Sequence, residues 1–249
     1  MSSILVVVPC YNEAERLDQA AFIEFASAQP EFTFLFVDDG SGDATLDRLT
    51  HLHSVLPTQL LFLPLTRNVG KAEAVRSGIN AYIDVEQFEY FGFLDADLSA
   101  PLSQLLVLRD ALESGEARMV MGSRVKRLGA QITRRPLRHY LGRVFATFVS
   151  MELALDVYDS QCGIKLLDHG FANTAFASPF CTKWIFDVEI LVRLRTEYPD
   201  FESRVLEIPL TMWTEKGGSK VSFASFLAVP LDVLRIRRTY GISFGQRGP

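Results

Sequence analysis

The sequence predicts an α/β fold, a mostly parallel sheet flanked by helices within a single domain. Short apolar runs recur along the first half of the chain, and each ends in polar or acidic residues. A segment with helical periodicity follows each run. The 249 residues, 48% of them hydrophobic, are enough for one large domain with a sizeable core.

The runs Ile4–Val8, Phe32–Val37, Leu60–Leu65, Tyr90–Leu94 and Met119–Met121 read as strands, and 13–28, 43–54, 71–86 and 101–114 as the helices between them. Pro9 stops the first run. Asp38 and Asp39 close the second, Arg67 and Asn68 follow the third, Asp95 and Asp97 the fourth, Ser123 and Arg124 the fifth. In parallel sheets ligands bind beyond the carboxyl ends of the strands, so these residues, with Asn12 and Glu13, gather on one rim. After about residue 130 the pattern changes. A basic helix over 134–155 leads to a glycine-containing loop, Asp159–Lys165; a helix over 184–197 and a strand over 204–208 follow. The loop Trp213–Lys220 precedes a last amphipathic helix, 222–240. Nothing marks a linker, so residues 1–249 read as one domain, with a first half to about 125 and a second half over about 126–249.

Composition excludes several classes. No stretch reaches the roughly 20 apolar residues that cross a bilayer, and the first apolar run is too short for a signal peptide. Cys10, Cys162 and Cys181 are too scattered for a disulfide framework or a zinc site and fit a reduced cytosol. A cytoplasmic location is expected, with peripheral contact to the membrane face left open. The net charge is −5, yet Arg124 to Arg143 carries seven Lys or Arg and no acid. One basic segment in an otherwise acidic chain points to a local anion site, or to a solvated loop and helix, and to no nucleic-acid partner. His51, His53 and His169 show no metal-ligand spacing.

Asp95-Ala96-Asp97 is the central chemical signal. At a strand end the backbone turns, so two carboxylates spaced i, i+2 can approach one hard cation, Mg²⁺ or Mn²⁺, whose other ligands come from phosphates and water. Asp38 and Asp39 can accept hydrogen bonds from a base or ribose, or serve a turn and helix cap. Tyr11 can stack on a base, and Gly70 and Lys71 open a helix whose free amides favour anions. No Gly-x-Gly-x-x-Gly or Walker loop is present.

The series VPCYNE, VDDGS, RNVGKAEAV, DADLSAP and MGSR resembles the inverting family 2 glycosyltransferases, from about residue 4 to 240. The stretches DSQCGIK (159–165), KWIFDVEIL and WTEKGGSK narrow the resemblance to the dolichyl- and polyprenyl-phosphate sugar synthases. It implies a GT-A fold with a Rossmann-like sheet, and a hexose transferred from a nucleotide-diphosphate sugar to a polyprenyl or dolichyl phosphate at the cytoplasmic membrane surface. The first half would bind the donor and the second the acceptor. Pro9, Tyr11, Glu13, Val37 and Asp39 would hold the nucleoside. Asp95, Ala96 and Asp97 would line the diphosphate, the two carboxylates would hold the metal, and Arg124 and Lys220 would contact phosphate. Asp97 and Arg124 are the expected catalytic residues. Arg138, with Arg134, would bind the acceptor phosphate, alongside Gln161 and Lys165. Mannosyl-type synthases carry an Arg where Thr214 stands here, which tilts the donor from GDP-mannose toward UDP-glucose.

A lipid monophosphate, largely ionised at neutral pH, needs no general base to attack. A glycan hydroxyl would need one, and Asp187 or Glu189 are the candidates, unless they are only helix-start charges. Two alternatives therefore stand beside the leading reading: transfer to a hydroxyl acceptor, and a catalytically silent nucleotide-sugar-binding protein. The last helix, with Arg235, Arg237 and Arg238 near its end, reads either as an interfacial helix or as a core-closing one, kinked at Pro230 into an outward Phe223–Val229 and an inward Leu231–Ile236.

Overall fold

The computed structural model describes residues 3–133, 145, 147–149, 152, 153, 155–216 and 223–242, with side chains of the last helix from 228 onward. A seven-stranded sheet runs through it in the order β3-β2-β1-β4-β7-β5-β8. Its strands are β1 (Ile4–Cys10), β2 (Phe32–Asp38), β3 (Leu60–Pro64), β4 (Tyr90–Leu94), β5 (Met119–Ser123), β7 (Ile164–Asp168) and β8 (Val205–Pro209). All pair in parallel except β7, which runs antiparallel between β4 and β5. A short ribbon of β6 (Gln131–Thr133) and β9 (Met212–Thr214) stands apart. The sheet draws strands from both halves of the chain.

Side-chain alternation explains the layers. Leu5 and Val7 of β1, Leu35 and Val37 of β2, and Phe91 and Phe93 of β4 join one core with α3 (Lys71–Asn80), α5 (His169–Phe176), α6 (Phe186–Glu197), the short α7 (Phe201–Arg204) and α8 (Phe223–Tyr240). Ile4, Val6 and Val8, with Phe32, Phe34 and Phe36, join the other with α1 (Gln19–Ala28), α2 (Thr45–Val55) and α4 (Ser103–Ser114). Buried on both faces, these strands read as continuous apolar runs.

Several elements depart from expectation. Helix α1 starts at Gln19 rather than 13, because Asp18 caps it through the Ala21 amide. Helix α3 ends at Asn80 rather than 86. Strand β7 begins at Ile164 and takes up the last two residues of the expected Asp159–Lys165 loop, and α5 follows it at once, capped by Asp168 on the Phe171 amide. Strand β9 takes up the start of the expected Trp213–Lys220 loop. Of the expected basic helix, 145, 147–149, 152 and 153 are helical, and its basic residues lie outside the described residues.

Helix α8 runs unbroken through Pro230. Val229, Val233 and Ile236 face the core, whereas Leu231 and Leu234 are 67% and 46% exposed. The expected division at Pro230 is therefore corrected: inward and outward residues alternate with the helical period. Arg237 is also not free for a surface role, since it pairs with Glu152 at 2.9 Å.

Strand β1 is joined to β2 on one side and β4 on the other, and the chain order reverses there. That reversal leaves a crevice beyond the carboxyl ends of β1 and β4.

Phe34 is wholly buried, with Phe22 edge-on at 5.2 Å and Phe25 at 5.9 Å. Phe34→Ala should cost about 3–5 kcal/mol in a denaturant titration. A loss below about 1 kcal/mol would mean that this layer is not packed as described.

Candidate active site

The rim is built by loops that grip one another. Past β2, the Asp39 carboxylate accepts hydrogen bonds from the amides of Val69 (2.6 Å) and Gly70 (2.9 Å) and from the Asn68 side chain (3.0 Å). Burial raises the Asp39 pKa, against the two amides that favour its charged form. Gly40 has φ +66°, and a Cβ there would meet the Arg67 and Asn68 backbone at 2.6 Å, so only glycine allows this approach. Past β1, the Asn12 side chain accepts from the Gly42 amide and the Asn12 amide donates to Ser41. Glu13 is buried, its amide donating to Thr45 Oγ1 at 2.8 Å. Of the residues expected around a nucleoside, Tyr11 is exposed on this rim and Pro9 lies at its edge. Val37 requires a correction: its side chain is wholly buried against α3, because alternation turns it into the layer.

Past β4 the Asp-x-Asp turn opens onto the crevice. The Asp95 amide donates to the Gly163 carbonyl at 3.0 Å, Leu98 takes φ 50°, and both carboxylates lie near enough to Lys71 to favour its charge. Ala96 between them is buried. Asp95 and Asp97 keep 41% and 24% of their side chains exposed. Lys71 Nζ stands 2.5 Å from Asp95 Oδ1. An Arg16 guanidinium nitrogen is 3.3 Å from Asp97 Oδ2, and the Ser99 amide donates to Asp97 Oδ1 at 2.9 Å. Desolvation opposes the Lys71 charge, but Asp95, Asp187 and Asp97 outweigh it and hold its pKa above the ordinary value. The Thr214 amide donates to the Ser99 carbonyl, which ties β9 to the same rim. Sequence reasoning missed the roles of Arg16 and Lys71 as counter-ions. The available signal was their place, Arg16 three residues after Glu13 and Lys71 directly after Gly70.

Past β5, Arg124 forks onto Asp159 through two nitrogens, each at 2.6 Å, and packs over the Trp213 ring at 5.4 Å. Burial works against the guanidinium, yet Asp159 offsets it and raises its pKa. Glu207 of β8 in turn receives the amides of Tyr158 and Asp159. Arg124 is therefore held rigid beside the rim. Gln161 is half-buried, and its buried amide nitrogen meets no acceptor among the described residues.

Lys165 departs from expectation. It is wholly buried on β7, donating to the Cys162 carbonyl at 2.7 Å and paired with Asp187 at 2.5 Å, so it cannot touch an acceptor directly. Glu189 is equally enclosed, accepting from Thr182, from Arg193 at 2.9 Å and from Tyr240 at 2.8 Å. Burial pushes the Cys162 thiol up to about 12 and Cys181 up to about 11, so neither is a thiolate at neutral pH. Arg134, Arg138 and Lys220 lie outside the described residues.

Asp95 and Asp97 fit a hard divalent ion. They offer carboxylate oxygens on an open rim, and no cluster of three acidic, Cys or His ligands occurs among the described residues. Two carboxylates are what Mg²⁺ commonly takes from protein when phosphates complete its shell.

The family model "Glycosyl transferase family 2" matches residues 5–176. A dolichyl-phosphate beta-glucosyltransferase of Trichomonas vaginalis is 30% identical over 243 residues, covering 92% of this chain and 69% of that protein. The Homo sapiens protein of the same name is 31% identical, with 94% and 75% covered. Among solved structures, glucosyl-3-phosphoglycerate synthase from Mycobacterium tuberculosis in complex with UDP aligns over 100% of this chain and 83% of its own, with TM-score 0.67 and 17% identity. The chain belongs to glycosyl transferase family 2.

A Cβ on Gly163 would lie 2.0 Å from Asp95 Oδ2. Gly163→Ala must therefore displace that carboxylate while leaving the β4–β7 backbone pairing in place. Donor turnover should fall about 100-fold, the scale for a displaced electrostatic group, with a melting temperature near wild type. Undiminished turnover would show that the position of Asp95 is immaterial.

Proposed function

We propose that this chain transfers glucose, with inversion, from UDP-glucose to a dolichyl or related polyprenyl phosphate, aided by Mg²⁺ or Mn²⁺ on Asp95 and Asp97. The observation that carries the reading is the half-open Asp95–Asp97 pair at the β1–β4 reversal, in a chain about 30% identical to dolichyl-phosphate beta-glucosyltransferases over most of its length. Thr214, standing where mannosyl-type relatives carry Arg, supports glucose over mannose.

The paired state of the inner carboxylates supports a phosphate acceptor. Asp187 is committed to Lys165 and Glu189 to Arg193 and Tyr240, so neither is placed to take a proton from a hydroxyl. A phosphate oxygen needs no such base. It forms the bond to the anomeric carbon as that carbon's bond to the diphosphate oxygen breaks, and the electron pair leaves with UDP. A single in-line displacement inverts the centre. Tyr11, Glu13 and the Asp39-held loop shape the nucleoside end. Arg16 and Lys71 bring positive charge to the diphosphate, and the locked Arg124 adds a fixed cation beside it, with Lys220. Arg134 and Arg138, four apart in sequence, would hold the acceptor phosphate, with Gln161 at the rim. When bound, the divalent ion neutralises charge on the departing diphosphate.

Among the described residues no helix is long and apolar enough to cross a membrane. Leu231, Leu234, Arg235 and Arg238 follow i, i+3, i+4, i+7 on the outer face of α8 and are all exposed. Two leucines with two arginines suit shallow contact with anionic headgroups on the cytoplasmic face.

Turnover of UDP-glucose with a short polyprenyl phosphate and Mn²⁺ tests the reading. Asp97→Asn should lower it about 100-fold, and EDTA should stop it. Full activity in EDTA removes the metal from the account, and transfer to glycan hydroxyls alone removes the lipid.

Membrane contact has its own check. The protein should sediment with anionic liposomes at low salt more than with neutral ones, and Arg235→Gln with Arg238→Gln should lose most of that difference. Equal sedimentation by the double variant would take α8 out of the contact.

A further inference from the structure

The charges around Asp95 carry one inference beyond that reading, and it rests on the metal part of it. Lys71 and Asp95 make a contact of 2.5 Å, and both side chains are open enough to exchange partners, at 39% and 41% exposure. The Lys71 backbone cannot retreat. Gly70 caps α3, and Asp39 clamps the amides of Val69 and Gly70 just before it. Only the four-carbon stem can swing. Behind the ammonium stands the Phe186 ring, 5.6 Å away, which offers a weak alternative seat. The next carboxylate, Asp187, is already taken by Lys165 at 2.5 Å, and Asp97 is met by Arg16 at 3.3 Å. Asp95, Asp97 and Asp187 therefore each stand beside a cation, with Arg16 also 3.6 Å from Glu13.

We propose that Lys71 is a stand-in cation, holding the Asp95 carboxylate when no divalent ion is bound and yielding it only when a donor diphosphate arrives. A divalent ion entering alone must displace the ammonium from Asp95 and then sit near it, since the neighbouring Asp187 is already taken by Lys165. An ion entering with a diphosphate brings new anionic oxygens, and the ammonium transfers to them. Ion and donor then bind as a coupled pair, each tightening the other by the same factor. Lys71 is thus a positioning residue: it keeps the Asp95 carboxylate in place and sets the order in which the site fills. The terminal ammonium is the part that matters, so a neutral side chain of similar length removes the effect and a guanidinium retains it.

The test is calorimetric titration of Mn²⁺ into the full chain, with and without UDP, for wild type, Lys71→Met, Lys71→Gln and Lys71→Arg. In the absence of UDP, both neutral variants should bind Mn²⁺ about tenfold more tightly than wild type, on the scale of typical couplings between ligands. The tightening of Mn²⁺ by UDP should shrink in them by the same factor, and Lys71→Arg should resemble wild type. Turnover should fall in the neutral variants even as the ion binds better, an opposition that mere loss of structure would not give. If the neutral variants bind Mn²⁺ no more tightly than wild type without UDP, the proposal is overturned while the metal reading stands. If wild type binds no Mn²⁺ even with UDP, the reading of Asp95 and Asp97 fails, and the proposal with it.

Discussion

A strand buried on both faces has no polar side to offer, and that constraint shapes this molecule. β1, β2, β4 and β5 are enclosed by helices on each face, so a charged side chain within them would have to be desolvated without a partner. Chemistry can be carried only where the strands end. Asp39, Asp95, Asp97 and Arg124 all stand just past the carboxyl ends of β2, β4 and β5, and the reversal of strand order at β1 leaves one crevice beside them. The clamp of Asp39 on the loop before α3 and the bend at Leu98 then fix which side chains face each other across it.

The charged groups divide by depth. Deep ones are saturated: Lys165 with Asp187, and Arg193 with Glu189 and three backbone carbonyls. Breaking such a pair leaves an uncompensated buried charge and typically costs 3–5 kcal/mol, so these pairs hold one arrangement rather than take part in chemistry. The shallow ones are matched but open, as with Asp95 and Lys71 or Asp97 and Arg16. A ligand can replace one partner of a shallow pair at modest cost, because water compensates the ion released. The division between scaffold and site follows from solvent access.

Much of this was legible in the sequence, for physical reasons. Strands β1, β2, β4 and β5 announce themselves because double burial demands unbroken apolar runs, and the partly buried edge strand β3 keeps an apolar run as well. Asp95 and Asp97 were visible because they lie two apart in sequence at a strand end. Strand β7 was not, since Gly163 and Lys165 read as loop chemistry; Gly163 is small to admit Asp95, and Lys165 is neutralised by Asp187, 22 residues away. Arg124 was expected from its motif, but its partner Asp159 lies 35 residues on, beyond any local pattern. Val37 shows the same limit: a motif marks a stretch of chain, whereas alternation decides which of its side chains turn toward a ligand.

The central claim is that the Asp95–Asp97 turn is where a divalent ion and the donor diphosphate meet. Crystals grown with Mn²⁺ and UDP, measured at the manganese absorption edge, test it most directly. The account predicts one anomalous peak at coordination distance, about 2.0–2.5 Å, from an oxygen of Asp95 or Asp97 and from the diphosphate. A bound UDP whose diphosphate lies away from that turn, or a manganese peak held by other residues, would contradict it.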